Sequence, residues 1–337
     1  MATLASTQLT LVDWAKRLDP DGKVPVVAEL LAQTNEILED AIFVQGNLPT
    51  GHRVVVRTGL PTVYWRTLNA GVPTSKSTTA QVDEGCGMLE ARSHVDAKLA
   101  VLHEDIGGFR MSEDKSFIEA MNQLQATTLF YGNPATDIKQ YLGLSSRYGT
   151  ISGAGNAQNI IDAGGTGTDN TSIWLVVWSD QTVFCTFPKG SKAGLVHRDL
   201  GEESVQDATG GWYQALRTLY QWDNGLVVKD WRYAVRICNI DVSNLVGEST
   251  AADIIKLMIK AMARIPTMSM GKPAFYMNRT VKEMLEIQTI GKNAATSGVI
   301  NNVVFDDVGK FSQVLSTFRG VPLRQCDQLI LAEARVV

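Results

Sequence analysis

Hydrophobic positions recur with helical spacing in the first part of the chain. Apolar side chains repeat every three or four residues over positions 9–18, and again over positions 26–41 after Pro25. This spacing predicts two amphipathic helices that form an N-terminal arm. The pattern leaves open whether the arm packs on its own domain or reaches a neighbouring subunit. The face of the first helix carries Leu11, Trp14 and Leu18.

After the arm, short runs rich in β-branched and aromatic residues replace the helical spacing. Residues 53–57 and 62–68 have the composition of strands, residues 69–80 are polar and rich in turn and hydroxyl residues, and extended character then resumes. Two extended arms around a polar tip predict one long hairpin over residues 53–95. Because exposed strands present unpaired backbone edges, we expect another surface to pair with this hairpin.

A long helix is predicted over residues 112–131. Ser112 is a good N-cap, acidic residues occupy the first turn, and a Gly-Asn-Pro sequence follows the last helical position. A helix of this length would extend about 30 Å and could serve as the spine of a domain. The stripe that faces the core is predicted to contain Phe117, Ile118, Met121 and Leu124.

The rest of the chain combines hairpins with an alternating tail. Asp180-Gln181 and Asp223-Asn224-Gly225 separate β-rich runs, which predicts two further hairpins. Thr250 and Asp253 form a capping box, which predicts that a helix begins there. The predicted elements are strands 173–179, 182–187, 212–221 and 226–240, helix 250–264, strand 274–277, helix 280–288, strand 303–305, helix 310–317 and strand 321–324. This order of elements indicates an α+β protein.

Composition argues against several classes of protein. The 337 residues include 31 Lys and Arg against 35 Asp and Glu, for a formal net charge of −4, so a chain-wide electrostatic grip on nucleic acid or an anionic membrane is not expected. The four cysteines lie far apart without metal-ligand spacing, and we expect free thiols in a reducing compartment. No apolar run approaches the ~20 residues of a membrane span, and no signal peptide is expected at residues 1–10.

Candidate catalytic chemistry is sparse. The glycine-rich residues 153–167 lack the lysine and spacing of a phosphate-binding loop, and we expect a mobile surface loop there. Asp306 and Asp307 match no calcium-binding pattern and predict a solvated turn. We therefore expect no metal, no cofactor and no catalytic residue. The enzyme alternative is a cytosolic hydrolase that uses His197 and Asp199 with an unidentified nucleophile.

Two further residue types could carry a function but have ordinary interpretations. Tryptophans in or beside strands are expected to pack in cores or interfaces, and they are Trp174, Trp178, Trp212, Trp222 and Trp231. Lys76 is the only lysine in the polar tip of the long hairpin. A covalent link from Lys76 to another copy is conceivable, although a solvated charge is the expected state.

Four segments together resemble the major capsid proteins of tailed phages with the Hong Kong 97-type fold. Residues 64–84 (YWRTLNAGVPTSKSTTAQVDE) are similar to the extended-loop signature of short-tailed phages of the epsilon-fifteen and Bordetella-phage kind. Residues 131–144, with YGNP and YLGL, resemble the exit from the spine helix, and residues 272–279 (KPAFYMNR) and 318–324 (FRGVPLR) resemble two late strands. Little chain follows the last segment, whereas strands of the peripheral kind such as 226–240 come early, which suggests a permuted topology.

The resemblance implies an arm, an extended-loop hairpin, a peripheral domain that includes the spine helix, and an axial domain. The corresponding boundaries are residues 1–48 for the arm, 49–95 for the hairpin, 96–135 and 172–245 for the peripheral domain, and 136–171 and 246–337 for the axial domain.

The implied function is self-assembly into pentamers and hexamers of an icosahedral phage head around double-stranded DNA, without catalysis, membrane or sequence-specific DNA binding. Expected partners are further copies, a portal and a cement or decoration protein, and the expected location is the virion after assembly in the host cytoplasm. An encapsulin compartment shell, built on the same fold, is the near alternative. Contacts with an adjacent subunit are expected from Leu11, Trp14 and Leu18 in the arm and from Val63, Trp65, Arg66, Leu68, Lys76 and Glu84 in the extended loop.

Overall fold

The computed structural model describes residues 32–102, 105–207, 209–248, 250–295, 303–307 and 313–337. The chain divides into two compact units. The first unit contains Met88–Gln125 and Gly194–Asp223, and the second contains Thr34–Gly87, Ala126–Ala193 and Asn224–Val337. The predicted arm residues Leu11, Trp14 and Leu18 lie outside the described residues, and the proposed domain boundaries remain predictions.

Helices and strands are named here in chain order. The helices are α1 Ile37–Asp40, α2 Ala97–Val101, α3 Ile106–Tyr131, α4 Leu144–Arg147, α5 Val242–Val246, α6 Ile254–Arg264 and α7 Arg279–Ala295. The strands are β1 Phe43–Gln45, β2 Gly51–Gly59, β3 Thr78–Gly85, β4 Gly87–Asp96, β5 Ile160–Asp162, β6 Asn170–Trp178, β7 Val183–Phe187, β8 Val196–Gln206, β9 Trp212–Val228, β10 Ala234–Asp241, β11 Lys272–Met277, β12 Val303–Asp307, β13 Gln313–Phe318 and β14 Val321–Gln325.

The second unit is built on a mixed sheet around β6. Strand β6 is buried along its whole length and pairs antiparallel with β10 on one side and β11 on the other. Strand β11 pairs parallel with β14, which is followed across the sheet by β13 and β12. A strand covered on both faces needs apolar side chains on both faces, which explains the nearly continuous apolar sequence of β6.

Alternate residues of β6 enter two separate cores, because successive side chains point to opposite faces of a sheet. Ile173, Leu175 and Val177 pack with residues of α6 and α7 in one cluster. Trp174 and Trp178 pack in the other cluster with Phe130, from the end of α3. The expectation that these two strand tryptophans pack in a core is confirmed, whereas Trp212 is exposed.

The first unit contains most of α3 and a ribbon of strands in which β8 pairs antiparallel with β9 and β9 is followed by β4. The predicted stripe of the spine helix is partly wrong. Met121 is buried and Phe117 is half-buried, but Ile118 and Leu124 are 38% and 46% exposed. Helix α3 begins at Ile106 and buries polar residues such as Asp114, so apolar periodicity alone does not locate its buried face.

Both hairpins predicted after residue 170 are wrong. Strands β6 and β7 run parallel where they meet at Trp178 and Val183, and β7 pairs antiparallel with the end of β9 instead. Asn224 and Gly225 do not turn the chain but lie inside the continuous strand β9. Gly225 permits a close approach of backbone, because a Cβ atom there would lie 2.7 Å from the Gly85 carbonyl oxygen.

The tail differs from its prediction in three places. Helix α6 begins at Ile254 because Asp253 is its N-cap, while Thr250 has a positive φ of 53° outside the helix. The predicted helix over 310–317 is wrong, since residues 313–318 form β13 and pair with β14. Asp306 and Asp307 belong to strand β12 rather than to a turn.

Neither a metal-binding cluster nor a membrane-spanning helix occurs in the residue ranges given above. Within those ranges, no group of three or more His, Cys, Asp and Glu side chains could hold a metal ion. No helix in the same part of the chain combines the length and apolar character needed to cross a membrane. The four cysteines are free thiols, as predicted.

Candidate assembly surface

A hairpin forms as predicted, from β2 and β3 of the second unit, but its bounds differ from the predicted residues 53–95. It ends at Gly85, because β4 belongs to the other sheet, and the predicted strand over residues 62–68 is wrong, since these residues are unpaired. The strands pair antiparallel from Gly51 opposite Gly85 to Gly59 opposite Thr78. Residues 60–77 connect them without further strand pairing, and we call these residues the tip. The two strands and the tip define two different surfaces, an inner face that packs on the rest of the unit and an exposed end.

The inner face of the hairpin is held by apolar packing. His52 and Val54 share this face with their cross-strand partners Glu84 and Val82. Val54 is 4% exposed and packs with Phe184 of β7 and Val227 of β9. The His52 ring contacts Phe184 edge to face, with ring centroids 5.4 Å apart. The base of the hairpin is therefore part of the fold of its own chain.

A buried ion pair also anchors the base. The two Arg147 terminal nitrogens donate to the two Glu84 carboxylate oxygens at 2.6 and 2.7 Å, and the side chains are 13% and 7% exposed. Arg147 also donates to the Leu226 carbonyl oxygen at 3.1 Å. Glu84 is predicted to contact an adjacent subunit, and that contact remains a prediction, but its carboxylate already has this partner within its own chain. Arg147 was not identified from the sequence.

The outer face of the hairpin remains in solvent. Arg53 and Asp83 form a doubly hydrogen-bonded ion pair, with both N···O distances at 2.6 Å. The Arg53 hydrogen bond lowers the pKa of the Asp83 carboxyl. Beside this pair, Val55 is 56% exposed. The two faces of one strand therefore have opposite environments.

The tip places large apolar side chains in solvent. Leu60, Val63 and Leu68 are 80%, 86% and 94% exposed, and Trp65 is fully exposed. Arg66 and Lys76, also predicted contact residues, are exposed as well. Clustered apolar groups of this kind on a soluble chain usually mark an interaction surface. The structure thus brings five of the six predicted extended-loop residues into one exposed segment and places Glu84 at its base.

The tip has a defined local conformation. The Ser75 hydroxyl donates to the Thr62 carbonyl oxygen at 2.6 Å and links the two sides of the tip. The tip contains Pro61 and Pro73, which have no backbone N–H to continue a ladder. Asn69 adopts a positive φ of 63° at the turn. Strand pairing therefore stops before the tip, and the tip has its own local hydrogen bond and turn.

The residues considered for hydrolase chemistry have other contacts. Asp199 accepts hydrogen bonds from both terminal nitrogens of Arg110, at 2.8 and 3.3 Å, and from the Gly201 N–H. These bonds lower the pKa of the Asp199 carboxyl. The His197 ring lies on exposed strand β8, with its centroid 5.2 Å from that of Tyr220. The Asp199 carboxylate therefore orients Arg110.

Structural comparison defines the class of the protein. A near-atomic structure of bacteriophage Epsilon15 matches it with a TM-score of 0.77 and 32% identity, covering 100% of this chain and 99% of that chain. The bacteriophage JBD30 capsid matches with a TM-score of 0.50 and 8% identity over 90% and 93% of the two chains, which is a likeness of fold alone. The predicted α+β fold of the Hong Kong 97 type is confirmed, and the protein is a phage shell protein of that class.

A family model identifies the chain more closely. The model for major capsid protein GP7 matches residues 19–337, and the chain belongs to that family. It is a major capsid protein, which forms the shell of a virion from copies of itself. No curated protein matches the sequence. The SrpI encapsulin complex of Synechococcus elongatus has 12% identity over 68% of this chain and 96% of that chain, and its TM-score of 0.41 carries no argument for the encapsulin alternative.

Proposed function

We propose that this capsid protein forms pentamers and hexamers of an icosahedral head that encloses double-stranded DNA, and that the tip of the hairpin lies over an adjacent copy. The exposure of Val63, Trp65 and Leu68 at the end of an anchored hairpin carries the proposal. These side chains have large apolar surfaces that their own chain leaves in water, while the base of the hairpin is packed and ion-paired.

The free energy of one tip contact is small, so we expect the contact to be repeated around a lattice. Burying one large apolar side chain stabilises a contact by about 1.5–3 kcal/mol, and part of that gain is offset by the ordering of the partners. A single tip contact is therefore weak. In a closed symmetric shell each copy both gives and receives such contacts, so multivalency stabilises the whole assembly.

Other partners follow from the same role. A portal and a decoration or cement protein would complete the head, and assembly would take place in the host cytoplasm. The net charge of −4 suits a shell that encloses DNA without sequence-specific contacts. The function is association rather than catalysis. Leu11, Trp14 and Leu18 remain proposed contacts of the arm with a neighbour.

The central test replaces Trp65 with alanine. We expect Trp65→Ala to leave the thermal unfolding of the unassembled subunit unchanged, because Trp65 is fully exposed there, and to reduce the yield of shells at least tenfold. Size-exclusion chromatography and negative-stain microscopy measure the yield. Ile138→Ala removes another highly exposed apolar side chain outside the tip and serves as the control. Wild-type yield of closed shells from Trp65→Ala would contradict the proposal.

Denaturing gels of assembled shells test the state of Lys76. We expect a single monomer band, because an exposed lysine in a Ser- and Thr-rich tip is a solvated charge in the absence of a reactive partner. A ladder of covalent multimers that disappears in Lys76→Arg would overturn this expectation.

A further inference from the structure

The tip and the strand ends next to it have an unusual charge distribution. Residues 57–82 contain Arg57, Arg66 and Lys76 and no Asp or Glu. This segment therefore carries three positive charges in a chain whose formal net charge is −4, so the remainder of the chain carries −7. A second copy of the chain presents, on average, a surface of the opposite sign to the tip.

The three cations are available for a partner. All three side chains are exposed. Across the described ranges, no Asp or Glu carboxylate lies within ion-pair distance of any of them. Arg53 is different, because on the same outer face it is already paired with Asp83 at 2.6 Å. The base of the hairpin thus neutralises its charges internally, while its end does not.

The apolar residues between these cations favour a protein partner over DNA. The exposed apolar residues that lie between the cations in sequence are Leu60, Val63, Trp65, Leu68 and Val72. Contacts with a DNA backbone are made mainly by charged and polar groups to phosphates. A protein interface instead has an apolar and aromatic centre surrounded by a polar rim, and the composition of the tip matches that arrangement.

We propose that Arg57, Arg66 and Lys76 guide the tip onto acidic side chains of an adjacent copy, around an apolar contact centred on Trp65. This inference rests on the proposed function and adds the electrostatic part of the same contact. Charges at the rim of an interface act mainly on the rate of association and on its salt dependence. The cations therefore control how fast shells form, and the apolar side chains control whether the contact persists.

The test compares assembly rates of full-length subunits at two ionic strengths. Light scattering follows shell formation at about 0.05 and 0.5 M salt, where charges are weakly and strongly screened. Wild-type assembly is expected to slow severalfold at the higher salt. The variant Arg66→Gln/Lys76→Gln is expected to assemble about 5- to 10-fold more slowly at low salt and to lose most of the salt dependence, while still forming closed shells.

A matched control changes the net charge equally elsewhere. Lys139→Gln/Lys192→Gln removes two exposed lysines outside the hairpin and is expected to keep the wild-type rates and salt dependence. An unchanged salt dependence in the Arg66 and Lys76 variant would overturn the inference and leave the role of Trp65 intact. The inference would also be overturned if Arg66→Gln/Lys76→Gln assembled at the normal rate but lost binding to double-stranded DNA, as measured by fluorescence anisotropy. The cations would then bind DNA and not another copy.

Discussion

The base and the tip of one hairpin have opposite environments. At the base, Val54 is packed against Phe184 and Val227, and Glu84 is held by Arg147. In the tip, Trp65 and its apolar neighbours are in solvent. The base is stabilised within one chain, whereas the apolar side chains of the tip are left in solvent by the described part of the chain.

This difference separates folding from assembly within one element. A buried ion pair contributes little net stability compared with apolar packing, but it fixes one geometry because an unpaired buried charge is costly. The Glu84–Arg147 pair therefore suits a base that must hold the hairpin in one direction. The tip can then vary its contacts without affecting the fold. Substitutions at the base should change unfolding, and substitutions in the tip should change association.

The largest expected effect is at Arg147. Arg147→Met leaves the Glu84 carboxylate buried without its partner, and we expect the free energy of unfolding to fall by about 3–5 kcal/mol. Urea denaturation of the unassembled subunit measures the change. Arg53→Gln is the matched control, because it breaks an ion pair of the same hairpin that lies in solvent, and it should leave the unfolding midpoint almost unchanged.

A double substitution sharpens the interpretation of that result. Glu84→Gln/Arg147→Met removes both charges, and we expect it to recover a substantial part of the stability lost in Arg147→Met. Equal stability of Arg147→Met and the wild-type protein would mean that Glu84 does not need a partner. The ion pair at the base would then contribute no more to folding stability than the residues of the tip.

A smaller effect is expected at Val54. Val54→Ala removes two buried methyl groups from the contact with Phe184 and Val227, and we expect a loss of about 2 kcal/mol. Its neighbour provides the control, since Val55 points to the outer face and is largely exposed. Val55→Ala should change stability by less than about 0.5 kcal/mol. Similar losses in both variants would show that the strand has no distinct inner face.

The polar part of the tip could be predicted because its signal is local. Hydroxyl and turn residues after position 68 indicate an exposed connection whatever surrounds it. Trp65 and Leu68 are exposed as well, although they belong to residues 62–68, whose composition predicts a strand. The anchor could not be predicted in the same way. Arg147 lies 63 residues from Glu84 in sequence, and nothing in the sequence around either residue indicates the other.

The wrong predictions have a related cause. Asp223-Asn224-Gly225 has the chemistry of a hairpin turn, yet all three residues lie within the continuous strand β9. Leu124 belongs to an apolar stripe on α3 but is exposed in this chain. In both places the tertiary environment decides what the side chain contacts, and the local pattern does not contain that information.

The smallest expected effect is a pH dependence at His52 on the inner face. Burial lowers the pKa of His52 below 6.5, and the charge of Lys229 lowers it further. The buried Nδ1 atom also has no hydrogen-bond partner in the described part of the chain, so a proton there would be poorly accommodated.

As the pH falls below about 6.5, the unfolded chain takes up a proton at His52 that the folded chain does not, so stability declines with acidification. His52→Gln should therefore lose less stability than the wild-type protein between about pH 7.5 and 5.5, as measured by urea denaturation at each pH. His197→Gln, on an exposed strand position, should retain the wild-type pH dependence. If His52→Gln also retained the wild-type pH dependence of stability, the packing against Phe184 would not affect protonation of the His52 ring. The base would then be as accessible to solvent as the tip at this position.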